Sequence, residues 1–169
     1  VTGALAAVDL DAYANEWVDC VPHYRTLTRL ADVPVVVELG VRGGVSTWAL
    51  LDGLPADGRL YSVDIIDCTV PPRVSGDPRW AFLVGDDLDP EVQHRLPEHA
   101  DLVFIDTSHT YEQTVAELAY TLTLTPARIA LHDYALDAVR RAVSEFCDRE
   151  GWHIEVNEQS QWGFVVLAP

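Results

Sequence analysis

The sequence predicts a doubly wound α/β domain, a mostly parallel sheet with helices on both faces. Short continuous apolar runs alternate with helical patterns along the chain, a glycine turn follows the first run directly, and the last two runs flank a polar turn. At 169 residues and 49% apolar composition, the chain fills one core and is too short for two ordinary domains. Residues 1–169 therefore read as a single domain, with residues 1–32 as an N-terminal helical cover and 33–169 as the core.

Each element has its own signal. Tyr13, Trp17, Cys20 and Val21 share one helical face, and after Pro22 a second helical stretch presents Tyr24, Leu27 and Leu30. Val35 to Leu39 is a continuous apolar run but for Glu38, as a strand covered on both sides requires, and Gly40 to Gly44 turns into a helix bearing Val45, Trp48 and Ala49. Arg59 to Val63, Ala81 to Val84, Leu102 to Ile105 and Ile129 to Leu131 read as the next four strands. Pro71 and Pro72 argue against a long helix in the second crossover, which is expected to be irregular. Thr110 with Gln113 matches a capping box before a helix carrying Val115, Leu118 and Leu122. Val139, Ala142, Val143 and Phe146 define another amphipathic helix, and Trp152 to Val156 with Trp162 to Leu167 form a hairpin about Asn157 to Ser160.

Composition removes several functions. The 27 acidic and 11 basic residues give a net charge of −16, which repels nucleic-acid backbones and anionic membranes. Every basic residue is arginine, so a Walker phosphate loop, a Schiff-base enzyme and a lysine general base are all excluded. Cys20, Cys68 and Cys147 are too few and too scattered for a disulfide framework or a zinc cluster and read as reduced, mostly buried thiols. No eighteen-residue apolar span appears, and Asp9, Asp11, Glu16 and Asp19 stand where a signal peptide needs basic and apolar residues. A cytoplasmic protein is expected, acting on a small molecule, with the N-terminal helices available for contact between copies of the chain.

The chemistry concentrates where strands end. Val35-Val36-Val37-Glu38-Leu39-Gly40-Val41-Arg42-Gly43-Gly44-Val45-Ser46-Thr47 puts glycines at the carboxyl end of the first strand, where ligands bind in open α/β sheets. Its spacing does not match G-x-G-x-x-G, which argues against an NAD site, and Gly40 and Gly43 can equally serve tight strand-to-helix packing. Asp64 ends the second strand, where a carboxylate accepts ribose hydroxyls. Asp86 and Asp87 follow the third strand, near an expected adenine; Asp89-Pro90 accounts for part of this acidic cluster as a helix cap.

With these residues in view the chain resembles the class I S-adenosylmethionine-dependent methyltransferases, and more narrowly the macrocin O-methyltransferase-like and cephalosporin hydroxylase-like proteins. The resemblance runs from about Val35 to Leu167. Besides Glu38 to Gly44 it rests on Tyr61-Ser62-Val63-Asp64, Leu102-Val103-Phe104-Ile105-Asp106, His109-Thr110-Tyr111 and Leu131-His132-Asp133-Tyr134. It implies a Rossmann-like seven-stranded sheet of order 3-2-1-4-5-7-6 with an antiparallel last strand, and S-adenosylmethionine held by Glu38, Gly40, Val41, Arg42, Gly43, Ser46, Asp64, Asp86, Asp87 and Asp106. For Arg42 a salt bridge or a solvated loop position is the other reading.

The same resemblance implies methyl transfer to a hydroxyl oxygen, with His109, Asp106 and Asp133 as catalytic candidates. His109 stands where catechol-type relatives place a lysine, and a neutral imidazole near pH 7 can take the acceptor's proton. Its alternative role is support of the turn. Asp106 and Asp133 end adjacent strands, so their carboxylates can converge on Mg²⁺ or simply accept hydrogen bonds. Thr107-Ser108 departs from the Gly-Asp frequent in the family, and Tyr134 falls where catechol-type relatives have a third metal ligand. A silent binding module on the same fold, or a nucleotide-dependent redox enzyme, are the competing readings.

Overall fold

The computed structural model describes residues 20–160 and 162–169. A 3₁₀ turn at Val21–His23 leads into α1 (Tyr24–Leu30), β1 (Val35–Leu39), α2 (Val45–Gly53), β2 (Arg59–Asp64) and α3 (Pro72–Ser75). There follow β3 (Trp80–Val84), α4 (Pro90–Gln93), β4 (Leu102–Ile105), α5 (Tyr111–Thr123), β5 (Arg128–His132), α6 (Asp137–Glu150), β6 (His153–Glu158) and β7 (Phe164–Ala168). The seven strands form one sheet in the order β3-β2-β1-β4-β5-β7-β6, and β7 runs antiparallel to both β5 and β6. This is the Rossmann-like order expected. Tyr13 and Trp17, the first half of the expected helical cover, lie outside the described residues.

The apolar runs are explained by two cores, one on each face. Along β1, Val37 and Leu39 face the side covered by α5 and α6, with Leu118, Val143 and Phe146, while Val36 faces α1 and α2, with Leu27 and Leu50. In β4, Val103 and Ile105 go to the first core and Phe104 to the second. A polar residue in such a strand has no solvent face to occupy.

Sequence and structure differ in detail at three places. The second crossover contains the single helical turn α3, begun by Pro72 at its first position, where a missing N–H leaves no bond unmade. The hairpin turn lies later than expected because β6 runs on to Glu158 before β7 starts at Phe164. At α5, Thr110 accepts from the Gln113 N–H at 3.3 Å, but the Gln113 side chain turns to Asp87 and Glu117 instead of closing the capping box.

Glu38 is the one charged residue of β1, and it is fully buried on the α2 face. Its carboxylate accepts from Ser46 Oγ at 2.6 Å, Thr47 Oγ1 at 2.8 Å and Ser62 Oγ at 2.6 Å, and Ser62 Oγ accepts in turn from Trp80 Nε1 at 2.9 Å. One side chain thus ties β1 to the first turn of α2, to β2 and, through Ser62, to β3. Burial pushes its carboxyl up to about 7 against the pull of the three hydroxyls.

Two expectations follow. Because the folded state holds the Glu38 proton more tightly than the unfolded chain, this stabilisation is complete below the ordinary value of 4.5 and is lost as pH rises through about 7. A Glu38→Gln variant should lack that part of the decline, on the order of 3 kcal/mol; denaturant titrations of both proteins across this range measure it, and parallel profiles would refute it. Gly53 closes α2 against α1, where an added Cβ would overlap the Thr28 carbonyl oxygen. Gly53→Ala should therefore destabilise by about 1–3 kcal/mol through overpacking, instead of giving the usual helical gain; thermal or urea unfolding reads the sign.

Candidate active site

A cavity of about 360 Å³ opens beyond the ends of β1 to β4, with Gly40, Asp64, Ile66, Asp86, Asp106 and Thr107 on its wall. It lies at the carboxyl ends of the parallel strands, and its volume is within the range of small-molecule sites. Gly40 has φ 91°, and a Cβ there would overlap the Asp106 carbonyl oxygen, so the close approach of the β1 and β4 ends requires glycine before any ligand enters.

Asp64 organises the glycine turn. Its Oδ2 accepts from the Val41 and Arg42 N–H groups at 2.9 Å each, and Oδ1 accepts from the Ile66 N–H at 3.1 Å. Burial works to raise its carboxyl, but these backbone donors outweigh it and hold the group below the ordinary carboxylate range. Oδ1 keeps acceptor capacity at the cavity wall. Arg42 also lines the cavity, whereas Val41 is buried. Glu38 and Ser46 lie beneath the turn as its internal support, and Gly43 is off the wall.

The two aspartates after β3 diverge in role. Asp86 is exposed on the cavity wall, with its Oδ1 accepting from the Leu88 N–H at 2.9 Å. Asp87 is buried and joins Glu117, which is fully buried on α5; Gln113 Nε2 donates to Asp87 Oδ1 at 3.3 Å and to Glu117 Oε1 at 2.9 Å. Thr107 Oγ1 donates to the same Glu117 oxygen at 2.5 Å. Burial raises both carboxyls, that of Glu117 to about 8. Glu117 has a sequence signal, a carboxylate among the buried Thr114, Leu118 and Thr121 of its helix face, but its partners are far away in the chain.

At the other end of the cavity, β4 and β5 bring Asp106 and Asp133 together as expected. His109 Nε2 is 3.2 Å from Asp133 Oδ2, so the expected catalytic trio forms one cluster. His109 and Asp133 both hold left-handed backbone, at φ 57° and 58°. His132 Nδ1 lies 2.9 Å from Asp133 Oδ2 and 3.7 Å from Asp106 Oδ1, and Cys20 Sγ donates to Asp106 Oδ2 at 3.3 Å. Burial raises the Asp106 carboxyl against the pull of His132 and Cys20. At Asp133, burial is outweighed by the His132 bond and the neighbouring imidazoles, and the carboxyl is lowered.

Sequence reasoning does not single out Cys20 or His132 as site residues. The only available signal for His132 is its place beside Asp133 at a strand end, and Cys20 has none. They bear on the metal expectation. Mg²⁺ takes oxygen ligands, and the two carboxylates here are flanked by two imidazoles and a thiol. This donor set does not fit Mg²⁺.

Comparison with known proteins agrees with the architecture. Cofactor-bound Rv0187 from MTB superposes with a TM-score of 0.71 at 22% identity, covering 87% of this chain and 79% of that one. The O-methyltransferase from Bacillus cereus in complex with SAH gives 0.67 at 17% identity over 95% and 87% of the two chains. The O-methyltransferase TomG from Streptomyces achromogenes, involved in tomaymycin synthesis and in complex with SAM, gives 0.64 at 19% over 87% and 79%. At these identities the likeness is one of fold. No curated protein matches the chain. The family model described as a methyltransferase domain matches residues 37–134, which take in the glycine turn, Asp64, Asp86 and the Asp106–Asp133 cluster. With more than half of its length matched, the chain belongs to this methyltransferase domain family.

Proposed function

We propose that the chain transfers a methyl group from S-adenosylmethionine to a hydroxyl oxygen of a small molecule. The observation that carries this reading is one cavity with the Asp64-braced glycine turn on its wall at one end and, at the other, Asp106, which joins His109 and Asp133 in one cluster. The structurally similar O-methyltransferases from B. cereus and S. achromogenes, in complex with SAH and SAM, support the choice of donor and of oxygen as acceptor.

When bound, S-adenosylmethionine supplies an already electrophilic methyl group, so the protein's task is alignment and the removal of one proton. Asp64, with acceptor capacity left on Oδ1, takes a ribose hydroxyl, and exposed Asp86 takes the adenine side. Ile65 and Ile66, 71% and 60% exposed at the rim, present apolar surface to a flat ring. His109 Nδ1, the ring nitrogen turned away from Asp133, receives the acceptor's proton, while Asp133 accepts from Nε2–H, orients the ring and stabilises the resulting imidazolium. Asp106 stays beside the acceptor as a hydrogen-bond partner.

The Asp64→Ala variant should bind S-adenosylmethionine about 1.5–3 kcal/mol more weakly by calorimetry, the worth of hydrogen bonds to a charged group. Unchanged affinity in a folded variant removes Asp64 from the site. His109→Gln should keep fold and donor affinity while lowering methyl transfer by roughly 10²- to 10⁴-fold, measured as S-adenosylhomocysteine release with a hydroxyl-acceptor panel. A variant that retains the full rate shows His109 to be a turn residue.

A further inference from the structure

Cys20, Asp106 and His132 come from three separate parts of the chain: the residue before the first 3₁₀ turn, the end of β4 and the end of β5. One ligand atom from each lies within 4.8 Å of the others. Cys20 and His132 are 5% and 2% exposed, and Asp106 reaches the cavity wall. A soft thiolate, an imidazole and a carboxylate together form a donor set for the zinc class of divalent ions.

The spacing agrees with that chemistry. In a tetrahedral site with Zn–S near ~2.3 Å and Zn–N and Zn–O near ~2.0 Å, ligand atoms stand roughly 3.3–3.5 Å apart. Here Cys20 Sγ is 3.3 Å from Asp106 Oδ2 and His132 Nδ1 is 3.7 Å from the other oxygen of that carboxylate, with one ligand atom of each residue within 4.8 Å of the others, so a closure of about an ångström brings the three onto a common ion. A divalent ion would be neutralised by the thiolate and one carboxylate, and it would relieve the crowding of anions in a place with little water. Asp133 Oδ2 touches both His132 Nδ1 and His109 Nε2; metal binding displaces the Nδ1 proton, which passes to Nε2 of the same ring or to solvent, and Asp133 still holds His109.

We propose that Cys20, Asp106 and His132 bind one zinc-class divalent ion, leaving a fourth position open beside the cavity. Three protein ligands and one open position distinguish catalytic from structural zinc. As a binding site it stands apart from methyl transfer. Its use there, to hold the acceptor oxygen and lower its pKa next to His109, rests on the reading given above.

Cobalt(II) tests the site optically, with no need for an acceptor. The full chain, stripped with a chelator and titrated with Co²⁺, should develop the intense visible bands of a four-coordinate ion and a thiolate-to-cobalt charge-transfer band. One equivalent of Zn²⁺ should abolish both, and a large excess of Mg²⁺ should leave them unchanged. Cys20→Ser should lose the charge-transfer band, and His132→Asn should weaken Co²⁺ binding by at least the ~10–100-fold that even an outer-shell change costs. A six-coordinate spectrum without the thiolate band in the wild type, or a band indifferent to Cys20→Ser, overturns the assignment. Calorimetry with S-adenosylmethionine on the same stripped protein keeps the two readings apart. Tight donor binding without the cobalt spectrum refutes only the metal site, and the cobalt spectrum without donor binding refutes only the methyl-transfer reading.

Discussion

The buried carboxylate of Glu38 fixes the geometry on which the cavity depends. A strand covered on both faces has no place for an unsatisfied charge, and here three hydroxyls from α2 and β2 surround it. Those bonds set where α2 begins relative to β1 and so fix the path of the glycine turn between them. Asp64 then holds the same turn from the other side through the Val41 and Arg42 N–H groups. The turn is clamped between two carboxylates, one dry and one at the cavity wall, and both hold protein partners before any ligand arrives. Pre-organisation of this kind reduces what binding must order.

A second constraint operates between strands. The Gly40 backbone lies so close to the Asp106 carbonyl that no side chain fits between them. This contact joins the glycine-turn side of the cavity to the Asp106 side, because Asp106 begins the segment that carries Thr107, Ser108 and His109. A change at Gly40 therefore acts first on the relative position of two strands and only then on a ligand.

The sheet was legible in the sequence because its strands are short apolar runs bounded by glycine, proline and acidic residues, and the two-core packing demands such runs. The end of the hairpin was less so: Asn157 and Glu158 are polar on an edge strand, where one face meets solvent, and polarity there does not separate strand from turn. In the site, Asp64, Asp106 and Asp133 were visible as carboxylates at strand ends. Cys20 and His132 were not. Their partners lie in other elements, with |i−j| of 86 for Cys20 and Asp106, and no local spacing encodes such a meeting. The same applies to Asp87 and Glu117, which become a pair only when α5 packs beside the end of β3.

Among the described residues, four non-glycine positions adopt left-handed backbone, and three of them, Arg42, His109 and Asp133, stand at the cavity or in the cluster around Asp106. Glycine occupies that conformation without steric penalty, while other side chains carry a cost of order 1–3 kcal/mol when the surroundings enforce it. The chain thus keeps an imidazole and a carboxylate at positions where conformational energy alone favours having no side chain at all. Stability and chemistry pull in opposite directions there, so a library selected for heat resistance alone would drift towards glycine at positions 109 and 133. Its most robust members would be well-folded shells without that imidazole and carboxylate.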